Sequence, residues 1–121
     1  MTEADYIARW AAAFALTVAV ELPCAVWLLS ASNASTARRA GVVVAAQFVT
    51  HPIVWFVIPF FHLARWPFLA VAEGWAWGAE TAVYGLAFPG LSPRQAAVAS
   101  LVANAASVAV GYVARATLGI V

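Results

Sequence analysis

The chain has 121 residues, of which 65% are hydrophobic and only 9% charged, and its formal net charge at pH 7 is +1. A water-soluble domain carries roughly 25% charged residues, so this sequence cannot cover a surface that faces water. The composition predicts an integral membrane protein whose partner is the lipid bilayer, with residues 1–121 forming one domain and no separate soluble domain. The small net charge and the lack of a basic run predict that nucleic acid is not a partner.

The first apolar segment covers about residues 6–30 and is predicted to be a retained transmembrane helix. A signal peptide would have a basic amino end and an apolar run of only about 7–15 residues. Here Glu3 and Asp5 precede Arg9, the run is longer, and Glu21 interrupts it.

Three more apolar segments follow, over about residues 40–63, 67–88 and 93–117. Pro67 suits the first position of a helix, and Ser92 suits the N-cap of the last one. Each segment has the ~20 residues needed to cross ~30 Å of hydrocarbon. Because the connections are short, consecutive spans are antiparallel, and the predicted fold is an all-α, up-down bundle of four transmembrane helices.

The arginines do not favour either orientation in the membrane. Three lie on the side that holds both termini and three on the opposite side: Arg9, Arg65 and Arg115 against Arg38, Arg39 and Arg94. The positive-inside rule therefore predicts no preference. Either another signal sets the orientation, or the chain inserts both ways and forms antiparallel dimers. We expect it in a prokaryotic inner membrane.

Polar residues fall on one face of each predicted helix at 3.6 residues per turn. Measured from the side of the termini, four of them lie one half to two thirds of the way across the membrane. These primary candidates for an ion or proton site are Glu21, His51, Glu80 and Asn104. The secondary candidates on the same faces are Gln47, Glu73, Tyr84 and Ser107.

The deep layer has two carboxylates and one imidazole but no arginine or lysine at the same depth. Each unneutralised charge in hydrocarbon costs about 3 kcal/mol on insertion scales, so at least one carboxylate is protonated or a cation is bound. Glu21, His51 and Glu80 could ligate a transition metal or zinc, although they come from three helices and have no local ligand spacing. The glutamate and amide oxygens could instead suit a harder cation.

Two other features have structural interpretations. Glu73 lies about one quarter of the way across, where Arg9, Arg115 or His62 could pair with it. The glycines Gly74, Gly78 and Gly111 permit close packing of helices, either within one subunit or between subunits. We accordingly expect a homo-oligomer or a larger membrane complex.

Three functions are compatible with these patterns. The leading hypothesis is a protein that binds or translocates a cation, either a proton or a metal ion. A second is an intramembrane enzyme with a bound metal as cofactor and a glutamate as general base. A third is an accessory subunit whose polar core is purely structural. No nucleophile motif or phosphate-binding loop indicates a hydrolase.

Overall fold

The computed structural model describes residues 1–119, and this part of the chain is mostly helical, without strands. The elements are α1 (Glu3–Leu28), α2 (Thr36–Phe56), α3 (Arg65–Ala87) and α4 (Pro93–Leu118). Short 3₁₀ turns, Leu29–Ser32 and Ile58–Phe61, follow α1 and α2. The predicted all-α class with four helices is confirmed.

Side-chain caps set where three of the helices begin. The Ser92 hydroxyl accepts a hydrogen bond from the backbone N–H of Gln95, whose side chain accepts from the Ser92 N–H, so the predicted cap of α4 is confirmed. Ser35 caps α2 in the same way, and α2 therefore starts at Thr36 rather than near residue 40. A serine cap supplies an acceptor for one of the four unpaired N–H groups at a helix start.

Proline explains why the second apolar segment is not one continuous helix over 40–63. α2 ends at Phe56, and the chain continues as a 3₁₀ turn that contains Pro59. Proline has no N–H to give to the carbonyl four residues earlier, which is that of Trp55. The Tyr6 hydroxyl donates to this carbonyl instead, at 2.6 Å, and so joins the start of α1 to the end of α2.

The four helices form a closed ring of adjacent pairs. α1 packs against α2 and α4, and α3 packs against the same two helices; across residues 1–119 the diagonal pairs do not approach closely. Helices α1, α2 and α4 are long and apolar enough to cross a membrane. With 23 residues α3 is also long enough, but Glu73 and Glu80 lower its hydropathy. The chain is thus a small integral membrane protein.

The two ends of the bundle are packed differently. We call the end with the start of α1 and the end of α4 the terminal side, and the other end the far side. The tightly buried apolar core lies in the far half, where it consists of Ala25, Leu29, Val43, Ala46, Tyr84, Phe88, Leu91, Ala96, Ala99 and Ala103. The two far-side connections also touch, because a Cβ at Gly90 would lie 3.4 Å from the Ser32 carbonyl oxygen.

Candidate functional site

Glu80 is the centre of a buried hydrogen-bond network. Its side chain is 1% exposed, and donors from both neighbouring helices reach it. Oε1 accepts from Nε2 of Gln47 at 3.1 Å and lies 3.3 Å from the Thr50 hydroxyl. Oε2 accepts from Nδ2 of Asn104 at 2.6 Å. Side-chain amides from α2 and α4 thus hold a carboxyl group of α3 in the bundle interior.

The Thr50 hydroxyl allows Glu80 to exist in two protonation states without leaving a group unpaired. This hydroxyl lies 3.1 Å from the Ala46 carbonyl as well as near Glu80, yet it has only one proton to donate. When Glu80 is ionised, Thr50 can donate to it. When Glu80 carries a proton on Oε1, it can donate to Thr50, which then donates to Ala46.

Glu21 is buried beside this network but is not part of it. It is 0% exposed, and in the described chain neither of its oxygens has a hydrogen-bond partner. The side chains of Gln47 and Ser107 lie near it, and the Glu80 carboxyl group is close enough to interact with it electrostatically. Ser107 donates its proton to the Asn104 carbonyl at 3.0 Å, and Gln47 donates to Glu80. A buried carboxylate with no donor is costly, so Glu21 needs a proton or a bound cation.

Tyr84 lies one helical turn beyond Glu80, towards the far side. It is 0% exposed, and its hydroxyl is a second buried polar group without a partner among residues 1–119. Glu21, Glu80 and Cys24 surround it closely enough to interact electrostatically. The predicted neighbours Glu80 and Tyr84 therefore lie together, and the unpaired hydroxyl and the unpaired Glu21 carboxyl share one region.

His51 does not join the glutamates as expected. Its Nε2 lies 3.2 Å from the Thr17 hydroxyl of α1, and its Nδ1 has no partner within the described residues. The ring packs edge-on against Phe14 and stacks at 6.5 Å on Trp55. His51 thus faces the α1–α2 contact, although it still lines the same cavity as Glu80.

The arrangement does not support the predicted metal centre. Nowhere in residues 1–119 do three histidine, cysteine, aspartate or glutamate side chains come close enough together to hold a metal ion. In particular, the His51 imidazole is bonded to Thr17 and does not join Glu21 and Glu80 as a third ligand. Because the three predicted ligands do not come together, this geometry does not support the hypothesis of a metal-dependent enzyme.

A polar chamber of about 120 Å³ adjoins the network. That volume is enough for several water molecules, because one water needs only ~10–15 Å³ of such space, and the polar lining supplies partners for them. The polar residues that line it are Thr17, Gln47, Thr50, His51, Glu73, Glu80, Asn104 and Ser107. Three of the four predicted secondary candidates therefore line one cavity: Gln47, Glu73 and Ser107, but not Tyr84.

Glu73 lies at the terminal side of this chamber and is exposed in the isolated bundle. It also lines a second cavity of about 340 Å³ with Tyr6 and Arg115. The predicted proximity of Glu73 to Arg115 fits this shared cavity. His62 is exposed at the end of the 3₁₀ turn after α2, in a left-handed conformation with φ 51°.

The three glycines do not pack against other helices of the same chain. A Cβ at Gly74, Gly78 or Gly111 would meet no atom within 4 Å in the described structure. Gly74 lines an open, mostly apolar groove of about 760 Å³ between α3 and α4. Close packing through these glycines within one subunit is therefore not seen in residues 1–119.

One residue of the site, Thr50, was not predicted from the sequence, whereas Thr17 lies on the polar face predicted for the first helix. Thr50 contacts Glu80, and Thr17 contacts His51. Both are ordinary threonines in apolar helices, but each lies at helical spacing from a predicted site residue on its own helix, Thr50 three after Gln47 and Thr17 four before Glu21. For Thr50, this helical spacing was the feature of the sequence that could have identified it.

Comparison of the chain with protein-family models, with curated proteins and with solved structures finds no match.

Proposed function

We propose that this small membrane protein binds and translocates protons at the buried Glu80–Glu21 pair. The observation that carries the proposal is the place of Thr50 between Glu80 and the Ala46 carbonyl. This geometry gives a hydrogen-bond partner to both an ionised and a protonated Glu80, as a group that repeatedly gains and loses a proton requires.

The charge distribution supports a proton rather than a metal ion. Glu80 accepts from two amides, which are neutral donors and cannot neutralise a second carboxylate nearby. Glu21 lies beside it with both oxygens unpaired among residues 1–119. Two ionised carboxylates would repel each other at low dielectric, so the pair shares at least one proton.

Reconstitution into liposomes tests this function. A vesicle with an imposed pH difference and a trapped pH-sensitive dye should show proton flux that depends on the protein. Glu80→Gln keeps the size and shape of the side chain but removes its ionisable group. Proton flux should therefore fall to the level of empty vesicles. Leu101→Ala, on the exposed face of α4, is the matched control and should conduct like the unaltered protein. Wild-type flux from Glu80→Gln would overturn the proposal.

One observation favours a second function, that of an accessory subunit in a larger membrane complex. The groove between α3 and α4 presents the open backbone at Gly74 to whatever lies beside the bundle. Small residues of this kind let another transmembrane helix approach closely. Co-purification with one larger membrane protein, together with full complex assembly by the double variant Glu21→Gln/Glu80→Gln, would favour this function over proton movement.

A further inference from the structure

The chamber beside Glu80 adjoins the cavity on the terminal side. Both are lined by Val54, Ala72 and Glu73, so these three residues form the junction between them. The outer cavity of about 340 Å³ also includes Tyr6 and Arg115, which belong to the first and last helices at their terminal ends. A small cation at this surface is therefore separated from the polar chamber by this junction, whose polar residue is Glu73.

The other end of the bundle, within residues 1–119, is tightly packed. Between Glu80 and the far side lie Tyr84 at 0% exposure, Phe88 at 2% and, from the first two helices, Leu29 and Val43 at 0%. These residues belong to one packed cluster. Protein interiors of this kind contain few voids that admit water. In the described residues, the site thus adjoins a cavity on the terminal side and a packed apolar cluster on the far side.

Glu73 has a position that suits a relay residue. It precedes Glu80 by seven residues, nearly two helical turns, so the two carboxyl groups are about 10 Å apart along the same face of α3. Water in the polar chamber can bridge such a separation. Glu73 is exposed to the outer cavity, whereas Glu80 is buried.

We infer that Glu80 exchanges its cation with the terminal side alone in this conformation, and that the cation enters by way of Glu73, which acts as a relay residue. The inference deepens the proposed function and rests on it for the identity of the cation. The accessibility of the passage is a separate physical property, which can be measured without any transport assay.

A test that works for either membrane orientation uses pairs of cysteines in one molecule. In a Cys24→Ala background, Val54→Cys reports on the passage, while Ala4→Cys marks the terminal side and Ala37→Cys the far side. Both marker positions are exposed. Sealed vesicles are treated with a small, positively charged, membrane-impermeant methanethiosulfonate, and intact mass spectrometry counts the labels on each molecule.

The two double variants should give opposite patterns. With Ala4→Cys/Val54→Cys, each molecule should carry two labels or none, because both positions face the same side. With Ala37→Cys/Val54→Cys, each molecule should carry one label. The reverse pattern, or an unlabelled Val54→Cys, would overturn one-sided access. If Val54→Cys prevents folding, Ala72→Cys tests the same junction.

The role of Glu73 is tested by flux. Glu73→Gln should slow proton flux at least about a hundredfold, the lower end of what a positioned proton-transfer group contributes, and Glu73→Asp should restore part of it. A merely structural Glu73 would not show rescue by the shorter carboxylate, and unaltered flux in Glu73→Gln would remove the relay role. If flux is absent in all variants but the labelling is one-sided, the proposed function fails and the access inference stands.

Discussion

Replacing Glu21 by methionine should make the bundle more stable. Glu21 is fully buried and, in the part of the chain that the structure describes, its two oxygens accept no hydrogen bond. Methionine has a similar length, fills irregular space and has no strongly polar atom. The substitution thus removes a desolvated carboxyl group without removing any hydrogen bond. This outcome is unusual, because most substitutions of buried residues destabilise a protein.

The magnitude follows from two opposing contributions. A buried polar group without a partner costs about 1–3 kcal/mol, and methionine avoids that cost. A volume-conserving substitution in a packed interior costs less than about 1.5 kcal/mol. We therefore expect the free energy of unfolding to rise by about 1 kcal/mol. In contrast, Glu80→Met should lower it by about 2 kcal/mol or more, since it removes the acceptor of the Gln47 amide and one acceptor of the Asn104 amide, which keeps its bond to the Ser100 carbonyl.

Equilibrium unfolding in mixed micelles with increasing dodecyl sulfate, followed by far-ultraviolet circular dichroism, measures both variants on one scale. The two glutamates are the same residue type with nearly equal burial, so each variant is the matched control for the other. The informative result is the opposite sign of the two changes. If Glu21→Met destabilises the bundle as much as Glu80→Met does, Glu21 has hydrogen-bond partners in the membrane and the reasoning is wrong.

Three further predictions concern the scaffold. Tyr6→Phe removes the donor to the Trp55 carbonyl that Pro59 leaves unpaired, and should lower the free energy of unfolding by about 1 kcal/mol, whereas Tyr112→Phe, an exposed control, should leave it unchanged. Ser92→Ala removes the cap of α4 and should cost about 1 kcal/mol in the same assay, with Ser92→Gly closer to the wild type; equal losses would contradict a capping role. Gly78→Ala should raise the stability of the monomer by about 0.5–1 kcal/mol, because the added methyl group meets no atom of the same chain. If subunits associate through this face, the same variant should weaken the dimer in single-molecule photobleaching, and unchanged dimerisation would exclude that contact.

The helical period predicted which polar side chains face the interior. Glu21, Gln47, Glu80 and Asn104 are all 8% exposed or less. Carboxyl and amide groups are so costly in hydrocarbon that their positions fix the rotation of each helix about its axis. For the same reason the number and type of helices followed directly from the apolar segments.

The lateral arrangement inside the bundle could not be predicted in the same way. Depth along the axis put His51 level with Glu80, but packing against Phe14 and Trp55 turns its imidazole towards Thr17. Thr50 was missed because a threonine in a membrane helix commonly bonds the carbonyl four residues earlier, as it does here with Ala46. Its second contact, with Glu80, depends on how α2 and α3 pack, which the periodicity of the sequence does not show.

An even number of antiparallel helices places the start of α1 and the end of α4 on one face of the membrane. Leu118, the last residue of α4, therefore lies on the same side as Glu3, the first residue of α1. Two copies genetically fused in tandem by a short polar tether can then insert only with the same orientation. An antiparallel pair would instead require a tether that itself crosses the bilayer, so fusions with and without an added hydrophobic crossing segment separate the two modes of assembly.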